Sequence, residues 1–299
     1  MRLGVDIALL AAVPLEIEGL TPGLSSITDH MVGGERFALG TIRGQTVLVG
    51  TLGVGKTNAA ATVGALAERF ELRQVWHLGC AGAYSEGPLA IGDVLISTQC
   101  RCGDEGILED GTERPRSALG IPSVTVGGRQ YFDDLPVDGS LLNWARSILP
   151  SESFGRTGNC PSGDSDPGCL PHPITVPERG EEGGPLHPEG FRVHYGPSLT
   201  VSLASGDALT ARKRFERHQA LAENMEGSAV VQTCLRFGIP VLEIRGISNL
   251  AGDRDKSHWR LDMSMGHCHA VVRRLLNAWV DPPGGSPENP ATNETASSP

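Results

Sequence analysis

Apolar runs recur along the chain at residues 3–13, 45–52, 75–78, 93–97, 199–203 and 240–247. Most are continuous rather than alternating, the pattern of strands buried on both faces. Between them, apolar positions repeat with helical spacing over 57–70, 141–149, 211–222, 226–237 and 266–280. Strand and helix therefore alternate, which predicts an α/β fold of three layers, α/β/α, around a mainly parallel, twisted central sheet. Ligands of such sheets bind outside the carboxyl ends of the strands, so polar residues just after these runs carry the most information.

Two stretches fall outside the alternation. Residues 151–197 are crowded with Gly, Pro and charge, which predicts a long surface insertion into a single domain of residues 1–280. Residues 281–299 hold no aromatic or large aliphatic side chain. Burial cannot offset the entropy of ordering them, and a disordered tail is expected.

Charge and cysteine content narrow the function further. The formal net charge of −10 and pI near 5.4 oppose nucleic acid as a partner, since that requires a basic face. The longest apolar run, near 7–15, is too short to span a bilayer and lacks the charged start and cleavage site of a secretory signal. No membrane association and a cytoplasmic location are expected. Seven cysteines, an odd number scattered without a framework, suggest reduced thiols. Cys100, Cys102, Cys160, Cys169, His172 and His187 lack the paired spacing of a structural zinc site, and no metal is expected.

Candidate chemistry concentrates between Glu223 and Trp259. Met225 and Glu226 open a helix, and Arg245, Ser248 and Asn249 follow in the strand after it, so both clusters should lie at carboxyl ends of parallel strands. A second candidate is GTLGVGKT, residues 50–57, which satisfies the Walker A pattern between a strand and a helix and admits a P-loop nucleotide-binding protein. That reading also needs an apolar strand ending in a magnesium-binding Asp, and the later strands offer no convincing one. Glu16 falls at the start of a helix expected after the first strand. A first-turn Glu can merely offset the helix dipole, or act as a base tuned by desolvation if it is buried. Glu18 lies two positions on and faces elsewhere.

Met225-Glu226-Gly227-Ser228-Ala229 and Arg245-Gly246-Ile247-Ser248-Asn249 resemble the ribose-binding M-E-x-x-A and purine-binding R-x-I-S-[DN] segments of the nucleoside phosphorylase and nucleosidase superfamily. The G-[IV]-G-K loop of that family also accounts for Gly53 to Lys56. The resemblance covers residues 3–280 apart from 151–197 and implies a nucleoside phosphorylase-like fold.

It further implies that Glu16 activates a water, Glu226 accepts the ribose hydroxyls, Arg245 orders water and ribose, and Asn249 holds the departing base. Met225 would pack under the ribose, and Gly53 and Val54 would offer backbone amides near the attacking water or phosphate. Cys80, Ala81 and Gly82 would line the pocket, and Ser205, Leu209 and Ser248 would frame the base. Asn at position 249, with the following AGDRDKSHW, points to the futalosine-hydrolysing branch, which removes hypoxanthine from an inosine-like nucleoside in menaquinone biosynthesis. Methylthioadenosine/adenosylhomocysteine nucleosidase and purine nucleoside phosphorylase are the alternatives within the family. A small-molecule nucleoside as substrate, no cofactor and a homo-oligomer are the remaining implications.

Overall fold

The computed structural model describes residues 2–110, 112–150, 153–154 and 190–279. The expected tail, the cysteines at 160 and 169 and the histidines at 172 and 187 lie outside the described residues, as does most of the expected insertion.

Continuous apolar runs form the central strands of the sheet, and more polar segments add others at its edge. These are β1 (Ile7–Ala11), β2 (Ser25–Val32), β3 (Glu35–Ile42), β4 (Gln45–Thr51), β5 (Val75–Ala83), β6 (Val94–Cys102), β7 (Asp134–Pro136), β8 (Phe191–Thr200), β9 (Ala222–Asn224) and β10 (Val241–Leu250). The helices are α1 (Lys56–Arg69), α2 (Gly139–Ile148), α3 (Ala208–His218), α4 (Gly227–Phe237) and α5 (Leu261–Ala278). β8 starts at Phe191, earlier than the apolar run suggests, and so takes up the last residues of the span expected as an insertion.

The α/β architecture is as expected, but the sheet is mixed. β1 pairs in parallel with β4 and β5, and β10 runs parallel to β5. β2, β3 and β4 form an antiparallel meander at one side. At the other side the strands close on themselves: β10 pairs antiparallel with β6, β6 parallel with β8, β8 parallel with β9, and β9 antiparallel with β5. Bulges at Gly196/Ser198 in β8 and Ile247/Asn249 in β10 bend these strands and raise their twist, which lets the sheet curl into this ring.

The meander turns on Gly33-Gly34, both at positive φ, the geometry of a two-residue type I′ hairpin. α1 and α4 pack on each other, while α5 lies along β10 and against α2. Trp76 of β5, Trp144 of α2 and Trp279 after α5 meet with ring centroids 4.7 to 6.1 Å apart. No helix among the described residues is long and apolar enough to cross a membrane.

Candidate active site

Five chain segments converge here: those that follow β1 and β4, the glycine-rich part of β5, the junction of β9 and α4, and β10. After β1, Pro14 starts a single 3-10 turn, Pro14–Glu16, rather than the expected α-helix, and a second 3-10 segment with Gly19, Pro22 and Gly23 follows. Those residues stop a longer helix from forming. The turn buries Glu16 and leaves Glu18 exposed. Glu16 Oε2 accepts the N–H groups of Ala12 and Val13 at 3.0 and 3.2 Å, and Oε1 accepts that of Cys80 at 2.8 Å. His269 Nε2 donates to the Glu16 carbonyl at 2.7 Å, tying the turn to α5.

Arg245 is fully buried in β10. Its Nε and Nη2 donate to Glu243 Oε1 at 3.0 and 2.9 Å, and Nη2 also donates to a ring nitrogen of His77 at 2.9 Å. Burial, then the Arg245 charge, push the His77 pKa well below its usual value, so the imidazole is neutral and can accept. Nη1 has no hydrogen-bond partner among the described residues. A Cβ at Gly79 would lie 2.5 Å from Nη1 and 2.9 Å from Glu16 Oε1. The guanidinium and the carboxylate therefore border one spot over a residue that must be glycine.

Glu226 sits at the amino end of α4. Its Oε1 accepts the Gly55 N–H at 2.8 Å, and its carboxyl is raised above the usual range, chiefly by burial. Arg245 lies in the field of Glu243, Glu226 and Glu16. Burial disfavours its charge, but the three carboxylates outweigh burial and hold the guanidinium protonated.

The bulge at Ser248 re-aims the next residue. Ile247 pairs with Ala81 and Asn249 with Gly82, leaving Ser248 as the extra residue. Ser248 Oγ donates to Asn249 Oδ1 at 2.8 Å, while Asn249 Nδ2 donates to the Leu250 carbonyl at 2.8 Å and lies against Gly82. Cys80, between Glu16 and this pair, has its thiol pushed up to about 12 by burial and then by Glu16. That thiol is a wall, not a nucleophile.

Met225 borders a cleft of about 520 Å³ with Val54, Gly55, Lys56, Thr57, Asp104, Glu105 and Ser202. The glycine loop spends several of its donors inside the protein. The Gly53 N–H donates to the Ala12 carbonyl at 3.1 Å, and the Gly55 N–H is taken by Glu226, so the loop is cross-linked to the protein itself. The Lys56 ammonium binds Asp104 at 2.5 Å and Glu105 at 3.0 Å, where a Walker lysine would reach for phosphates.

Two expected residues are not brought into this constellation. Ser205 is buried with both its N–H and hydroxyl donated to Glu223, at 2.8 and 2.7 Å. Leu209 stands exposed in the first turn of α3. Conversely, Glu243 and His77 escaped the sequence reading, although a Glu two positions before an Arg in an otherwise apolar central strand must share its face. Among the described residues no group of three or more His, Cys, Asp or Glu could hold a metal ion.

The phosphorylase superfamily model matches residues 6–277. Futalosine hydrolase of Thermus thermophilus is 31% identical over 224 residues, spanning 75% of this chain and 78% of the relative. The 5′-methylthioadenosine/S-adenosylhomocysteine nucleosidase of Listeria monocytogenes serotype 4b is 36% identical over 258 residues, spanning 83% and 87%. In three dimensions the chain resembles a nucleosidase of that type from Colwellia psychrerythraea, solved in complex with adenine. The TM-score is 0.69 at 18% identity, over 93% of this chain and 97% of the other.

Proposed function

Since the chain belongs to the phosphorylase superfamily, we propose that it hydrolyses the N-glycosidic bond of futalosine, releasing hypoxanthine and dehypoxanthine futalosine for menaquinone synthesis. The observation that carries hydrolysis is the spot over Gly79, bordered by Glu16 Oε1 and the unpartnered Arg245 Nη1. A water bound beside this pair donates a proton to Glu16 and accepts a hydrogen bond from Arg245, and attacks the anomeric carbon as the bond to the base breaks. Glu226 keeps one oxygen for the ribose hydroxyls while Gly55 holds the other. Its hydrogen bonds strengthen as the ring becomes an oxocarbenium ion.

The glycine loop supports hydrolysis over phosphorolysis. Its Gly53 and Gly55 amides and its lysine are already engaged by Ala12, Glu226, Asp104 and Glu105, so an incoming phosphate would have to break those contacts. Asn249 supports a 6-oxopurine, because an amide N–H can donate to the O6 and N7 acceptors that adenine does not share as a pair. The second reading, a methylthioadenosine/adenosylhomocysteine nucleosidase, is favoured by the 36% identity to the Listeria enzyme.

One experiment separates these readings. Purified protein is incubated with futalosine, its 6-amino analogue and methylthioadenosine, with and without phosphate, and the released base and sugar are identified. Hypoxanthine with a free reducing sugar, unaffected by phosphate, is the expected result. Adenine from methylthioadenosine as the dominant activity, or a sugar 1-phosphate, would sink the proposal.

A further inference from the structure

The geometry points to Glu243 as a positioning residue, one that fixes the Arg245 guanidinium so that its remaining N–H groups face the attacking water. The inference rests on the nucleosidase reading for its kinetics, but not for its spectroscopic test. Glu243 is fully buried, where an unpaired carboxylate is not tolerated. Its two oxygens divide the work. Oε1 takes Arg245 Nε and Nη2, together with Asn224 Nδ2 at 3.3 Å. Oε2 takes the hydroxyls of Ser97 and Ser198, both at 2.5 Å, and the Cys100 thiol at 3.1 Å.

The carboxylate is thus pinned from β6 and β8 and in turn grips the guanidinium of β10. Gly227, first residue of α4, admits Glu243 Oε1 against its backbone, at a position where a Cβ would collide with it. A carboxylate there also gains from the helix dipole. With Nε and Nη2 held on one edge and His77 closing beside them, Nη1 is left over at Gly79 by geometry. A planar fork held on one side cannot rotate about its own axis, which is why Arg rather than Lys suits this place.

The test measures kcat and KM for futalosine in the parent, Glu243→Gln, Arg245→Met and the double variant, with 15N NMR of the arginine Nε–H groups. A guanidinium no longer fixed is misplaced by about an ångström, which typically costs about 10²-fold in rate. Glu243→Gln should therefore lower kcat by about that factor, with KM changed by less than about threefold. In the Arg245→Met background the same substitution should cost less than about twofold more. The Arg245 Nε–H signal, protected from exchange in the parent, should be lost in Glu243→Gln.

If Glu243→Gln does not fold, Ser97→Ala with Ser198→Ala releases the carboxylate while keeping both charges, and kcat should still fall about tenfold. A near-parental kcat in these variants, or additive losses in the double variant, would overturn the inference. An unchanged Nε–H signal would overturn it even if futalosine proved not to be the substrate.

Discussion

Replacing Glu16 by Gln swaps one carboxylate oxygen for an NH₂ that accepts neither a proton nor a hydrogen bond. The surroundings decide where that nitrogen goes. At Oε2 it would oppose the two donors of Ala12 and Val13, whereas at Oε1 it would oppose only Cys80 N–H. It should face Cys80, leaving one buried donor unsatisfied at a cost of about 1–3 kcal/mol. Melting should then fall by roughly 2–4 °C for each kcal/mol lost, as in domains of roughly 150–250 residues. Turnover should fall far more. Loss of a general base costs about 10²–10⁴-fold, or roughly 3–5.5 kcal/mol of barrier, while KM stays close to parental because Glu226 and Asn249 are untouched. Released base quantified by chromatography gives kcat and KM, and calorimetry gives Tm. A folded variant with kcat within about threefold of the parent would show that Glu16 only completes its turn.

Three other outcomes are expected. Asn249→Asp should weaken futalosine cleavage and shift the futalosine to 6-amino preference, which in the parent should be at least about tenfold from a mismatched polar pair of about 1–3 kcal/mol; equal kcat/KM for both nucleosides in the parent would show that Asn249 does not read the base. Lys56→Ala should leave kcat nearly intact, because the ammonium is spent on Asp104 and Glu105; Mg·ATP binding in the parent that vanishes in this variant, read by calorimetry, would restore the P-loop reading. Although burial opposes its charge, Arg245 and the serine hydroxyls draw Glu243 down from 4.5 to about 2. Its stabilising contribution is therefore complete above the unfolded value and lost as pH falls through that window. Acid unfolding of the parent should thus have a component below pH 4.5 that Glu243→Gln lacks, and identical acid profiles would contradict the pairing.

The buried strands were legible because continuous apolar runs leave few alternatives, whereas the candidate site residues they carry were picked out by the family resemblance. The β2–β3 hairpin was not. β2 is almost wholly exposed and offers no apolar periodicity, so its signal was confined to the turn residues Gly33-Gly34. β5 outruns its apolar core because Gly79, Cys80, Ala81 and Gly82 are small, and the two glycines let Arg245, Glu16 and Asn249 approach. Small residues weaken a strand signal at the place where a site needs them. Ring closure was equally invisible, since it depends on bulges and on which edges meet. Ser205 is the converse case: the resemblance places it by the base, while its hydroxyl serves Glu223 inside the protein.

The charge balance of the site joins these observations. Glu16, Glu226 and Glu243 face a single guanidinium, and His77 beside it is neutral. If all three carboxylates are ionised the cluster carries a net charge of about −2 in a place where water screens little. Such an excess is unfavourable until a positive charge forms near it, and the transition state of glycosidic cleavage supplies one on the ribose. Interactions that strengthen only at that point lower the barrier rather than merely tightening substrate binding. The same field works against a phosphate dianion, which would enter beside Glu226 with the loop amides already occupied. Lys56, the lysine of the glycine loop, is tied to Asp104 and Glu105 and has no surplus charge to offer. On this reading, hydrolysis over phosphorolysis follows from where the chain spends its own charges, with neutral water as the nucleophile the field does not repel.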